Sequence, residues 1–443
     1  MGRPREPRLT GWGGTWRPGR ELLDEDLAAL TRGATLTRGL GRSYGDSALP
    51  AAGVEAIPCS TLADRILGFD PAVGLLRAEA GLSLATVNRL FWPRGWSFPV
   101  LPGTQFVTLG GMVAADVHGK NHHVDGTLGR HVTRLLLRLA DDRIVECSRE
   151  LEPELFRATL GGMGLTGHIL EAEVRLQPIP SPWILCESER IDGLDAFLAG
   201  LREAAGSWPM TMGWFDALAR GEHLGRGILY RGRWARPEEA PSHPPAPKRR
   251  FTVPFPFPGW VLNPLSMRVY NELIFRRHWR RRRRGIVHPE SFFHPLDAIA
   301  HWNRIYGRRG FTQHQSVLPE QDRPGAARRL LEELSRRGGA SFLCVIKDCG
   351  EEGEGLLSFP RRGISLAIDL PAGPKIQELV DALNRRVIAE GGRVYLAKDA
   401  YTRPEDFRAM EPRLDSFLAE RRRWDPAGRL ASAQSRRLFE DRS

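Results

Sequence analysis

The sequence predicts an α+β protein of more than one domain, and three observations carry that reading. Its 443 residues are roughly three times an ordinary domain, more than one hydrophobic core supports. The first third alternates short β-leaning runs with glycine-rich loops and helical patches. A proline cluster, Pro178, Pro180 and Pro182, then marks a boundary before a second mixed region. With 41% hydrophobic and 26% charged residues and a mean hydropathy of −0.34, the chain falls outside the membrane-bundle and disordered classes.

In chain order, Leu22–Thr31 and Leu84–Trp92 have helical periodicity; in the second, Ser83 is the expected N-cap and Leu84, Val87 and Leu90 share a face. ATLTRG (34–39) and GLLRAEAG (74–81) read as strands, and His131–Ser148 as a strand pair turning at Asp141-Asp142. The alternating segment His168–Leu176 is a further strand near the end of this region. Residues 183–395 form a second α+β unit, with strands at Phe342–Lys347, Ile364–Leu370 and Arg393–Ala397 and helices at Gly325–Arg337 and Pro374–Glu390. A helix over Pro404–Arg423 follows. Between Pro237 and Pro264 lies an insertion whose prolines alternate with aromatics and exclude a central strand.

The net charge is +11, from 64 basic and 53 acidic residues. It is local, because the window Pro245–Gly285 holds eleven basic residues against the single acid Glu272. A near-neutral remainder argues against a nucleic-acid binder. Seven arginines within Arg276–Arg284, beside Phe251, Phe255, Phe257 and Trp260, suit an anionic membrane surface; the alternative is a solvated arginine-rich helix. Five cysteines without CxxC spacing argue against a disulfide framework and for a reducing compartment. MGRPREPRLTGWGG lacks the apolar core of a signal peptide, and no run is long enough to span a bilayer, so a cytoplasmic or inner-face peripheral location is expected.

Three glycine-dense loops, Arg38–Asp46, Pro102–Gly111 and Leu160–Gly167, are either tight turns or cradles that bring backbone N–H groups to a pyrophosphate; three in one region favour the cradle. Gly162, Gly164 and Gly167 match GxGxxG, but between a helix and a following strand, which inverts the Rossmann order. In Asp116–His123, three histidines cluster without HExxH spacing, so a metal site is disfavoured. Only five of the 64 basic residues are lysines, and Lys347 and Lys398 sit in apolar β-leaning surroundings. A compact, tunable ammonium retained among so many arginines marks both as site candidates, against the alternative of edge-strand lysines reaching water.

RGLGRSYGDSA, LPGTQFVTLGGMVAADVHGKNHH, LFRATLGGMGLTGHI, FFHPLDAIAHWNRIYG, FTQHQSVLP and GGRVYLAKDA together resemble the decaprenylphosphoryl-β-D-ribose 2′-oxidase branch of the vanillyl-alcohol-oxidase-like FAD family, in order from about Leu9 to Leu438. The resemblance implies a two-subdomain FAD-binding domain over residues 1–180, to which 396–443 returns. It implies a substrate domain over 181–395, with an antiparallel sheet and a Pro/Arg-rich insertion at about 237–285. By the same resemblance Arg38, Gly39, Leu40, Gly41, Arg42, Ser43 and Tyr44, with Gly103, Thr104, Thr108, Gly110 and Gly111, enclose the FAD pyrophosphate. Gly162, Gly164 and Gly167 close the cofactor channel, and His118 and Asn121 lie by the flavin. Tyr395 and Lys398 stand at the active-site face with the substrate-binding Gln313, Gln315 and Lys347.

The implied reaction oxidises the C2′ hydroxyl of a polyprenylphosphoryl-β-D-ribose to a 2-keto sugar, the first half of epimerisation to the arabinose form for arabinan and cell-wall synthesis. An NAD(P)H-dependent short-chain keto-reductase is the implied partner. The alternative is an FAD-dependent oxidase of a free sugar or alditol that uses oxygen. Lys398, His118 and Tyr395 each qualify chemically as the base. Two departures from the family bear on the site. Flavinylated relatives have a histidine in the first glycine loop, where this chain has Arg42-Ser43-Tyr44-Gly45, so non-covalent FAD is expected. Mycobacterial members carry a cysteine where this chain has Ala367, so thiol-directed inhibition there is expected to be absent.

Overall fold

The computed structural model describes residues 7–439 apart from Pro247, Arg249, Ala340 and Phe342. The start of the N-terminal segment read above, Arg249 of the basic window and Phe342 of an expected strand lie outside the described residues.

Two antiparallel sheets organise the chain. The first comprises β1 (Ile66–Asp70), β2 (Leu75–Glu79), β3 (Val132–Arg138), β4 (Ile144–Ser148) and β5 (His168–Arg175), in the order β1-β2-β5-β3-β4. The β3–β4 hairpin turns where expected: Asp142 takes the left-handed φ of +69° that a short polar side chain tolerates, and its carboxylate accepts from Gly33 N–H at 2.9 Å. Helix Leu84–Phe91 starts at Ser83, whose Oγ accepts from Thr86 N–H at 3.1 Å. Its buried stripe is Leu84, Val87, Asn88 and Phe91; Leu90 is only half-buried, because the 3.6-residue repeat brings position 91 under the core.

The second sheet comprises β6 (Ile184–Ile191), β7 (Met210–Phe215), β8 (Gly227–Trp234), β9 (Arg282–Val287), β10 (Phe311–Leu318), β11 (Cys344–Cys349), β12 (Gly363–Pro371) and β13 (Arg393–Val394). Their order is β9-β6-β8-β7-β11-β12-β10-β13. Helices Leu194–Ala205 and Ile376–Ala389 cover one face. Gly213 is required there, since a Cβ would stand 2.1 Å from the Phe197 ring. On the same face His314 Nε2 meets Asn384 Oδ1 at 3.1 Å. The opposite face is free to build a cavity wall.

Four expectations are corrected. Leu22 and Leu23 belong to a strand, Arg20–Leu23, parallel to Ala56–Cys59; only Leu27–Leu30 is helical, because the Asp26 carboxylate caps it there. Most of ATLTRG is loop, with a single bridge from Arg38 to Cys59. The helix over Pro404–Arg423 is two, Pro404–Met410 and Leu414–Trp424, broken where Glu411 turns extended and engages Arg413 and Arg393. The arginine run is not one helix: helix Pro264–Arg277 ends inside it, and Arg282 begins the edge strand β9.

The C-terminal segment returns to the first glycine loop. Ala433 N–H donates to Leu49 O at 2.9 Å and Gln434 Nε2 to Leu396 O at 2.8 Å. Arg437 bridges the buried carboxylates of Asp46 and Asp399, each at 2.8 Å. Among the described residues no helix is long and apolar enough to cross a membrane. Arg437→Met leaves two buried carboxylates without their cation and is expected to cost about 3–5 kcal/mol, read as a lower urea midpoint at pH 7.

Candidate active site

A cavity of about 920 Å³, at the upper end for ligand pockets, takes its walls from both sheets and their loops. On one side the loop Gly39–Ser43 lines it, pinned by Arg38 N–H to Pro58 O and Tyr44 N–H to Ala397 O, both 2.9 Å. Gly39 lets this loop meet the second, because a Cβ at residue 39 would stand 2.3 Å from Thr108 Oγ1. Thr108 in turn caps helix Leu109–Ala114, accepting from Gly111 N–H at 3.3 Å. Asp297, from the turn Pro295–Ala298, holds the second loop by accepting from Thr104 Oγ1 and Gln105 N–H, both at 2.8 Å.

The facing wall is built by strand alternation. Cys186, Met212, Trp214, Tyr230, Val345, Lys347, Ala367, Gln313 and Gln315 all line the cavity, from six neighbouring strands. Cross-strand register sets Gln315 opposite Ala367, Gln313 opposite Asp369 and Lys347 opposite Ser365. At the centre His118 is flanked by Lys347 Nζ, 3.0 Å from Nδ1, and by the Gln315 carboxamide, 3.0 Å from Nε2. Burial, then the Lys347 charge, holds His118 well below the ordinary range, so the ring is neutral. The Gln315 Nε2 amide donates to His118 Nε2, which leaves Nδ1 as the ring nitrogen that carries the proton and faces Lys347 Nζ.

Three of the five lysines meet at this cavity. Lys120 is buried and donates to Phe293 O at 2.8 Å; burial pushes it down to about 7. Lys347 and Lys398 are half-buried and line the same space, and burial lowers Lys347 to about 8. Lys398 Nζ sits 3.6 Å from the Tyr44 ring centroid. Nearby Asp369 accepts from Tyr306 O–H at 3.0 Å and from the Gln313 amide. Burial drives the Asp369 carboxyl up and the Lys398 ammonium down.

Of the residues expected at the site, the cavity gathers Gly39, Leu40, Gly41, Arg42, Ser43, Tyr44, Gly103, Thr104, Thr108, Gly110, Gly111, His118, Gly164, Gly167, Gln313, Gln315, Lys347, Tyr395 and Lys398. Three others stand behind its wall. Arg38 is spent on Glu21, Ala48 O and Thr10 O at 2.7–2.9 Å. Asn121 Nδ2 donates to Pro99 O at 2.7 Å, and Gly162 is packed against Ala158 O, where a Cβ would lie 2.1 Å away. The three clustered histidines diverge: His118 faces the cavity, His122 Nδ1 accepts from Gly350 N–H and His123 Nε2 meets Trp208 O, both at 3.0 Å. Lys120 and Asp369 were missed as site residues. The rarity of lysine and the lone acid in the apolar run ISLAIDL were their signals.

A family model described as an FAD binding domain matches residues 26–148. The decaprenylphosphoryl-beta-D-ribose oxidase of Mycolicibacterium smegmatis is 36% identical over 97% of this chain and 97% of its own length. The chain belongs to the decaprenylphosphoryl-β-D-ribose oxidase family. It is an FAD-dependent oxidoreductase acting on CH–OH groups. An uncharacterized protein of Streptomyces coelicolor is 34% identical over 81% of this chain and 100% of its own. The L-gulonolactone oxidase of Mus musculus is 30% identical over 30% of this chain and 31% of its own. The residues present fit FAD: the loops are walled by glycine, and Ser47 Oγ and Arg42 Nε, in residues that line the cavity, are buried without a hydrogen-bond partner among the described residues.

The lowered lysines make stability depend on pH. In the folded state Lys120 gives up its proton near 7, whereas the unfolded chain holds it to 10.5, so stability rises with pH between these values. Between pH 7 and about 8.5, below ordinary thiol ionisation, Lys120→Met is expected to flatten this rise in the flavin-free protein by on the order of 1 kcal/mol per pH unit. Urea midpoints of both proteins at the two pH values check it.

Proposed function

We propose that this chain oxidises the C2′ hydroxyl of a polyprenylphosphoryl-β-D-ribose to the 2-keto sugar, the first half of epimerisation to the arabinose form. The observation that carries this reading is the near end-to-end likeness to an oxidase named for that substrate, in a chain whose cavity sets amide and ammonium groups beside the glycine loops. The returning half of an epimerisation needs a hydride donor, so an NAD(P)H-dependent short-chain keto-reductase is the proposed partner. We assign residues 1–180 to the FAD-binding domain, as two subdomains, 181–395 to the substrate domain and 396–443 to the returning segment. The separate sheets and the Arg437 bridge support that division. Work at the inner membrane face is the proposed location.

The site residues take distinct proposed roles. Tyr395 O–H donates to Ala115 O at 2.9 Å, and burial holds it far above its ordinary range, which disfavours it as a base. Both His118 nitrogens are engaged, which leaves that ring to orient Gln315 and Lys347. Lys398, whose burial favours the free amine, is therefore the group we assign to take the hydroxyl proton. Gln313, Gln315 and Lys347 hold the sugar. When bound, FAD supplies the acceptor for the carbinol hydride. Without a histidine in the first glycine loop, FAD is held non-covalently by Gly39–Ser43 and the Gly103–Gly111 loop.

Anaerobic addition of farnesylphosphoryl ribose is expected to bleach the flavin spectrum. A stable oxidised spectrum, with hydrogen peroxide formed from soluble alditols, would replace this reading with that of a free-sugar oxidase. Lys398→Met is expected to lower kcat by about 10²–10³-fold while the bound-flavin spectrum persists. Acid precipitation is expected to release the flavin into the supernatant; yellow pellets would show covalent attachment.

A further inference from the structure

Among the described residues, the large apolar side chains with 60–79% of their surface exposed are six, and all lie between Phe251 and Trp279. Helix Pro264–Arg277 is at their centre. It buries Met267, Asn271 and Phe275 against the protein, and at the same spacing, turned by roughly half a revolution, it presents Leu265, Val269 and Leu273 outward. A helix apolar on two opposite faces requires a second apolar environment. The outer one has none among the described residues.

The position of this helix suggests what covers it. Tyr270 and Ile274, one residue away from the outer stripe, line the cavity, and Tyr270 is also 44% exposed, which sets it at the rim. Arg250, exposed and also lining the cavity, stands on Phe106 at 4.2 Å from the ring centroid. Beyond the helix the chain continues through Trp279, 70% exposed, into the arginine run. Some of that charge is neutralised internally, since Arg276 pairs with Glu272 and Arg282 with Glu189 at 3.0 Å. Arg277, Arg280 and Arg284 remain exposed. The apolar stripe, the interfacial tryptophans Trp260 and Trp279 and the basic margin together match the layered chemistry of an anionic bilayer surface, with acyl chains inside and phosphates outside.

We propose that helix Pro264–Arg277 with its flanking loops is the membrane-docking surface of this enzyme, and that it seats the cavity mouth in the headgroup layer of an anionic membrane. The wedge is then Leu265, Val269 and Leu273 with Phe251, Phe255 and Trp260, not the aromatic loop alone. Phe257 is half-buried behind Phe255, with its N–H donated to Arg304 O at 2.9 Å, and takes no part. The further consequence, that a polyprenyl tail stays among the acyl chains while its sugar enters the cavity, rests on the proposed substrate; the docking does not.

The test is flotation of the flavin-loaded enzyme with phosphatidylcholine vesicles, with and without phosphatidylglycerol. The wild type is expected to float with the anionic vesicles. The triple variant L265S/V269S/L273S is expected to bind them about tenfold or more weakly, and R277Q/R280Q/R284Q to lose the preference for phosphatidylglycerol. Both variants should keep their flavin absorbance and their turnover of farnesylphosphoryl ribose in detergent. Equal flotation of the triple variant and the wild type would overturn the proposal. So would a wild type that ignores both vesicles, or one that forms a dimer lost in the triple variant, which would make this face a protein interface. Flotation without turnover refutes the substrate reading alone; turnover in detergent without flotation refutes the docking alone.

Discussion

Three ammonium groups held inside one cavity set the terms for everything around them. Burial lowers the basicity of Lys120, Lys347 and Lys398, and after it the Lys347 charge lowers both of the others. The acids that oppose this are few, with Asp297 acting on Lys120 and Asp369 on Lys398. A buried cation without a full complement is costly, and a fold keeps such an arrangement where a ligand supplies the missing negative charge or where a free amine is wanted. Both conditions suit a site that binds a dinucleotide beside an alcohol. The neutral state of His118 follows first from its burial and then from the Lys347 charge beside it.

The two walls solve different problems. The loop wall needs backbone close to the ligand, which glycine provides: residue 39 cannot carry a Cβ while the first loop touches Thr108. The sheet wall needs side chains at fixed spacing, which strand alternation provides. Gln313 and Gln315 face the cavity, while His314 between them faces Asn384 and helix Ile376–Ala389. A one-residue slip of β10 would exchange these faces and dismantle the site, and the eight paired positions between β10 and β12 guard against it. Asp297 ties the walls together by holding the second glycine loop from the far side.

What could be read in the sequence was mostly local. The glycine loops, the Asp141-Asp142 turn and the Ser83 cap are each set by a few adjacent residues, and they are where the sequence places them. Lys347 and Lys398 stood out by rarity, and the same signal applied to Lys120 identifies the third member. Partnerships across the chain were not legible. Nothing near Asp369 indicates that Tyr306, 63 positions away, donates to it. Arg38 lies in the first glycine loop as a ligand-binding residue would, yet Glu21 and two carbonyls consume its donors. Leu22 and Leu23 fit a helix by periodicity, and their parallel pairing with Pro58 and Cys59 overrides it.

The absence of a thiol at residue 367 also bears on what this cavity can do. Ala367 lies on the wall opposite Gln315 and beside Val345, and it offers a small apolar surface in place of a nucleophile. Cys186 is the cysteine that does line the cavity, but burial, more than any neighbouring charge, pushes it up to about 12, so almost none is thiolate at neutral pH. Cys344 and Cys349, on a neighbouring strand, are fully buried, with burial raising both. With the Cys186 thiol held protonated, the sheet wall meets a bound alcohol chiefly with the Lys347 amine and the Gln313 and Gln315 amides, groups that orient a hydroxyl, while Lys398 stands across from them to take its proton.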